Sequence, residues 1–185
     1  MGTLFVVATP LGNLEDIGMR ALRVLSEVPL VLAEDTRITR RLLARYDLHP
    51  RLRSFHEHTT SAQAAALAGA LDDGDAALVS DAGTPGVSDP GVALVQAALR
   101  GGHSVVPIPG PSAPAAALSV SGMPADAYTF LGFLPRRSEP RPRCCGRSPR
   151  SRSRSCSSRR RTGSRRRWPI WRPSSATAPW RCAAS

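Results

Sequence analysis

The chain has 185 residues, a length that allows one large domain or two small ones, and its formal charge of +11 is distributed unevenly. Residues 1–135 carry 9 arginines against 13 acids, whereas residues 136–185 carry 16 arginines against Glu139 alone. No lysine occurs, no apolar run reaches membrane-spanning length, and an opening with Glu15 and Asp16 but no basic segment does not resemble a secretory signal, so a cytoplasmic protein is expected.

Leu4-Phe5-Val6-Val7-Ala8 reads as a strand and is followed by a turn, Thr9-Pro10-Leu11-Gly12-Asn13. Ile17, Ala21, Leu22, Leu25 and Val28 then recur at helical spacing, with Asn13 or Asp16 as the cap. Leu30-Val31-Leu32-Ala33 repeats the strand signal, and a second helix presents Ile38, Leu42, Leu43 and Tyr46 on one face. A weaker strand, 51–55, ends at His56-Glu57-His58, and Thr59 or Ser61 is expected to cap an alanine-rich helix reaching about Leu71. Ala76-Ala77-Leu78-Val79 is the central strand, followed by a helix from Pro90 to Arg100, a fifth strand at 104–108 and a small-residue helix near 113–121. Strands alternating with helices of this length imply right-handed crossovers and a mostly parallel α/β sheet with helices on both faces. All loops at strand carboxyl ends then gather on one rim, where open α/β sheets bind ligands.

The stretch 80–91, Ser-Asp-Ala-Gly-Thr-Pro-Gly-Val-Ser-Asp-Pro-Gly, is the most distinctive of those loops. Its three glycines let backbone approach a ligand, while Pro85 and Pro90 stiffen it. Gly-Pro turns also occur in the loops at 9–13 and 109–112, and together these stretches read as one binding site. No Walker loop, no dinucleotide fingerprint after the first strand, no Gly-x-Ser-x-Gly elbow and no cysteine nucleophile occurs in this part of the chain, since Cys144, Cys145, Cys156 and Cys182 all lie beyond it. His56 and His58 lack further nearby ligands, so no metal is expected.

Five segments, at 7–16, 33–37, 56–58, 80–91 and 107–113, resemble in order and spacing the ribosomal RNA small subunit methyltransferase I family, which is similar in fold to the tetrapyrrole methylases. The resemblance runs from about Thr3 to Arg137. It implies S-adenosylmethionine-dependent 2′-O-methylation of a cytidine in 16S rRNA, a cofactor held between two α/β domains, and often a homodimer. By this resemblance Thr9, Pro10 and Gly12 lie beside the cofactor, Asp81, Gly83, Thr84, Pro85, Gly86, Val87 and Ser88 line it, and Pro109, Gly110, Pro111 and Ser112 form the far wall. Candidate general bases on the rim are Asp35, Glu57 and His56, with Glu34 and His58 as further possibilities, and Arg37 and Arg40 are candidates for RNA phosphates.

The resemblance stops after the segment 131–138. Residues 1–121 are expected to form the cofactor-binding domain, 122–137 a linker and first strand of a truncated second domain, and 138–185 a disordered Arg/Ser/Pro-rich tail. From residue 136 onward Ile170 is the sole Val, Leu or Ile, too little for a core. Back-translation of 168–182 with GC-rich codons, read two nucleotides out of register, gives an ordinary helix-then-strand segment, so a frame error is the favoured origin of the tail. That origin implies little or no activity for this particular chain. Two other readings are kept: a tetrapyrrole-precursor methyltransferase sharing the fold, and a non-enzymatic RNA binder acting through the basic tail, Ser151-Arg152-Ser153-Arg154-Ser155 included.

Overall fold

The structure is a computed structural model that describes residues 1–56, 59–133 and 154–158. Five strands, β1 (Thr3–Val7), β2 (Leu30–Ala33), β3 (Arg51–Ser54), β4 (Ala76–Val79) and β5 (Ser104–Ile108), form one parallel sheet in the order β3-β2-β4-β1-β5. The helices between them are α1 (Met19–Glu27), α2 (Thr36–Arg45), α3 (Ser61–Gly69) and α4 (Val92–Arg100), with α5 (Ala113–Ser119) after β5. The α/β fold expected from the alternation is the one observed.

Period-two alternation divides the strand side chains between two cores. Val7, Val31, Ala33, Ala77, Val79 and Ile108 pack with Ala21, Val24 and Leu25 of α1 and Leu42 and Leu43 of α2. Leu4, Leu32, Ala76 and Leu78 turn the other way, against Ala64 and Ala68 of α3 and Leu94, Ala97 and Ala98 of α4. Strand β4 sits in the middle and is buried throughout, which is why it reads as an unbroken apolar run. Pro107 is accommodated because β5 is an edge strand, where a ladder N–H can be spared.

Several boundaries differ from the expectation, each for a local reason. Asn13 caps a short 3-10 turn, Leu14–Asp16, and α1 starts only at Met19. Thr60, between the two expected caps, caps α3: its side chain accepts from the Gln63 N–H while the Gln63 side chain accepts from the Thr60 N–H. Helix α4 begins at Val92 rather than at Pro90, because Gly91 takes φ 144° and the Pro90 carbonyl accepts from Gly86 N–H at 3.3 Å.

Beyond the sheet, β6 (Tyr128–Phe133) pairs in parallel with β7 (Arg154–Ser158). The rest of 134–185 lies outside the described residues, as do Glu57 and His58. Strand β7 falls within the stretch for which disorder is expected; its pairing uses backbone groups and requires no apolar core of its own. No helix among the described residues is long and apolar enough to cross a membrane.

Candidate active site

The loops after β1 and β2 lead to α1 and α2 on one face of the sheet, whereas the loop after the central β4 leads to α4 on the other. A crevice therefore opens at the carboxyl end of the sheet on each side of β4, the place where open α/β sheets take ligands. Both crevices are laced across by hydrogen bonds between residues far apart in the chain.

Between β1 and β4, Thr9 and Gly83 exchange two backbone bonds, Thr9 N–H to Gly83 O at 2.8 Å and Gly83 N–H to Thr9 O at 3.0 Å. The buried Thr9 hydroxyl donates to the Ser80 carbonyl at 2.9 Å. Gly83 holds φ 92°, in the left-handed range that favours glycine, and its α-carbon faces the Leu11 side chain. Between β2 and β4, the Asp35 N–H donates to Asp81 Oδ1 at 3.0 Å, so Asp81 fastens the second loop to the central one. The Thr84 hydroxyl donates to the Pro111 carbonyl at 3.3 Å and joins the central loop to the fifth. A Cβ on Gly110 would lie 3.0 Å from Ala8 Cβ, so the first and fifth loops also touch through a position that glycine alone fills without adjustment. The structure thus brings the segments 9–13, 80–91 and 109–112 together. Nothing local marks Asp81 as a link to Asp35, because the two are 46 residues apart.

Within this lattice some groups are consumed and others stay available. The N–H groups of Gly83, Gly86 and Val87 are spent on Thr9, Pro90 and Thr84. Those of Gly12, Thr84, Gly110 and Ser112 find no hydrogen-bond partner among the described residues and lie in the loops that meet at the rim. Val87 and Ser88 are exposed, and Ser88, at φ 58°, faces β6: a Cβ on Gly132 would stand 3.0 Å from its Oγ. Two open depressions occur at the opposite, amino end of the sheet, around residues 47–51 and 72–75, and none of the rim residues contributes to them. The rim has the convergent backbone donors that a ligand site requires, and on that ground it is the better candidate.

The titratable groups near the rim fall into different positions. Asp35 caps α2 by accepting from Arg37 N–H at 2.8 Å, and its carboxylate also receives the Arg37 guanidinium in a two-pronged pair, at 3.1 and 2.8 Å. The Arg37 side-chain and backbone hydrogen bonds lower the Asp35 pKa to about 2, and the pair raises that of Arg37. His56 is exposed at the end of β3, its N–H donating to the Thr59 hydroxyl at 3.1 Å. Glu34 is partly buried beside Asp35, and Arg40 is exposed on α2. Among the described residues no group of three or more His, Cys, Asp or Glu stands in a metal-holding arrangement.

Comparison with known proteins places this geometry. Residues 3–144 match the family of tetrapyrrole (corrin/porphyrin) methylases. Proteins called ribosomal RNA small subunit methyltransferase I are similar: the one from Mesorhizobium japonicum is 54% identical over 133 residues, covering 71% of this chain and 45% of the relative. Those from Pseudomonas aeruginosa and Halalkalibacterium halodurans are 52% and 48% identical over 141 residues, covering 76% of this chain and 50% and 49% of the relatives. The chain therefore spans about half the length of the curated relatives it matches. The solved structure of uroporphyrin III C-methyl transferase from Thermus thermophilus shares the fold, with a TM-score of 0.53 at 22% identity over 71% of this chain and 59% of that one. A parallel β3-β2-β4-β1-β5 sheet with its switch-point loops interlocked, matched along 3–144, establishes that the chain belongs to the tetrapyrrole (corrin/porphyrin) methylase family.

Proposed function

We propose that this chain carries the cofactor-binding part of an S-adenosylmethionine-dependent methyltransferase acting on the 2′-hydroxyl of a cytidine in 16S rRNA. The observation that carries the reading is the meeting of three Gly-Pro loops at the switch point, in a chain whose 48–54% identical relatives bear the name of that ribosomal RNA methylase. The free N–H groups of Gly12, Thr84, Gly110 and Ser112 suit the carboxylate, ribose and adenine edge of such a cofactor, and the absence of any cationic side chain from the three loops avoids repulsion of its sulfonium. When bound, the cofactor supplies an electrophilic methyl group. The protein's own contribution is placement of the ribose oxygen against that methyl, an effect worth up to about 7–11 kcal/mol.

A hydroxyl that accepts a methyl group must also release its proton. Asp35 is a poor acceptor for it, being held by Arg37 at a pKa of about 2 and committed to capping α2, so its role in this reading is to anchor that helix at the rim. His56, Glu34 and the segment 57–58 then supply the candidates for the base. In the same reading Asp81 acts by joining loops rather than by touching cofactor. The arginine-rich segment 136–185 is read as the product of a shifted frame, which resequencing the locus tests, and the homodimer implied by the resemblance belongs to the same proposal.

Calorimetric titration of S-adenosylmethionine into the 185-residue chain tests the cofactor reading. We expect saturable binding that Gly110→Val abolishes, because its side chain would be driven into Ala8. Binding by a frame-restored chain alone would place half of the site in the missing domain, and no heat of binding from either chain would overturn the reading. Transfer of a tritiated methyl group to small-subunit RNA by a frame-restored chain then tests the substrate, with label expected on a ribose 2′-oxygen rather than on a base, and little or no transfer is expected from the 185-residue chain.

A further inference from the structure

Helix α2 has a polar side unlike that of any other helix in the sheet domain. It buries Thr39, Leu42 and Leu43. At 100° per residue, Arg37, Arg40, Arg41 and Arg45 all fall around the opposite pole, where all four are exposed. The helix contains no acid, so none of these arginines has the carboxylate at i±4 that exposed helices ordinarily supply, and Arg37/Arg41 and Arg41/Arg45 are like-charge pairs at that spacing. Arg37 is neutralised from outside the helix by Asp35. Arg40, Arg41 and Arg45 form no ion pair with any described residue, and the Arg45 guanidinium lies 6.0 Å from the centre of the Tyr46 ring. Helix α3 carries no charge at all and α4 only Arg100, on the opposite face of the sheet.

The placement of this face matters as much as its charge. Helix α2 starts one residue after Asp35, which Asp81 ties to the central loop, and runs from the rim toward the amino end of the sheet. From Arg37 to Arg45 is about 12 Å along the axis, enough for more than one phosphate of an extended strand. On the neighbouring edge strand β3, Leu52 packs on the α2 side, so the exposed Arg51 and Arg53 turn to the other face of the sheet and do not extend this one. Ala44 lies among the arginines and Ile38, 43% exposed, at their flank; one large apolar side chain is too few to interleave with the basic ones as a lipid surface requires.

We propose that the outward face of α2 is a phosphate-binding track for a single RNA strand leaving the rim, with Arg40, Arg41 and Arg45 as its cations. The proposal rests on the reading of the chain as an RNA methylase and adds to it a route for the substrate. Arg37, already matched to Asp35, is not one of the track's free charges.

The test is arginine footprinting of the full chain with phenylglyoxal, with and without a mixed-sequence oligoribonucleotide of about 20 nucleotides, followed by peptide mass spectrometry. RNA is expected to lower modification of Arg40, Arg41 and Arg45 severalfold, to leave Arg100 unchanged, and to lose this effect as salt rises. Protection confined to arginines within 136–185 would overturn the track. So would protection of α2 that grows with protein concentration without RNA, which would assign the face to a second copy of the chain. In the triple variant Arg40→Gln/Arg41→Gln/Arg45→Gln the dependence of log affinity on log salt should become shallower by about 2, three phosphate contacts at roughly 0.7 each on a single strand. An unchanged slope in a variant that stays folded sinks the track alone; absence of cofactor binding in a frame-restored chain sinks the methylase reading instead.

Discussion

The two ends of the sheet use the same hydrogen-bonding groups to opposite purposes. At the amino end, Gly2 N–H donates to Leu71 O at 2.7 Å, Thr3 N–H to Asp75 Oδ1 at 2.6 Å, and buried His103 stands 3.7 Å from Asp72. These contacts spend the spare donors of the first strand on its neighbours. At the carboxyl end the bonds run from loop to loop, Thr9 to Gly83, Asp35 to Asp81 and Thr84 to Pro111, while other N–H groups of the same loops stay unspent. A rim built this way holds its shape without filling its own crevice, as a preorganised ligand site must.

That contrast breaks most sharply at Gly2. A Cβ there would overlap the carbonyl of Gly74, and backbone, not a flexible side chain, would have to yield. Gly2→Ala is expected to destabilise the domain by about 1–3 kcal/mol, as overpacking does, while the folded fraction keeps its cofactor affinity. Denaturant unfolding beside cofactor titration checks both halves; a matching loss of affinity would mean that the two ends are not independent. Thr9→Val is the smaller and complementary change. It keeps the shape, removes the hydroxyl that the Ser80 carbonyl accepts from, and should cost about 1 kcal/mol of stability. Its larger effect is expected on cofactor affinity, because the first and central loops lose one of their links.

These links explain how far the sequence could be read. Buried strands such as β2 and β4 announce themselves as short apolar runs, and the Gly-Pro loops mark the rim, so the strands and three segments of the rim are legible, the polar edge strand Arg51–Ser54 more weakly than the others. Neighbour order is not: Leu30-Val31-Leu32-Ala33 and Ala76-Ala77-Leu78-Val79 carry no local sign that they lie side by side. The Asp35–Asp81 and Thr84–Pro111 bonds join residues 46 and 27 apart, and no periodicity reports them. The Asp35–Arg37 pair escapes for another reason: residues two apart do not face each other on a helix, but Asp35 is the cap, outside the helix, and its extended backbone brings the carboxylate to Arg37.

That pair yields the subtlest expectation. With a folded pKa of about 2 against an ordinary 3.8, Asp35 is deprotonated more readily in the folded chain, so its contribution to stability is present above about pH 4. It is lost as pH falls from there through about 2, when the carboxyl takes up a proton and releases the Arg37 guanidinium. In Asp35→Asn the amide oxygen still caps α2, so stability at neutral pH should change little, the exposed Arg37 pair being largely screened by solvent. Between pH 4 and 2, however, the variant should lose stability less steeply than the parent, which parallel unfolding curves across that window would read directly. Identical acid limbs would mean that the pair is already broken in solution, and that α2, with the arginine face it carries, is anchored to the rim through the Asp35 N–H and Asp81 alone.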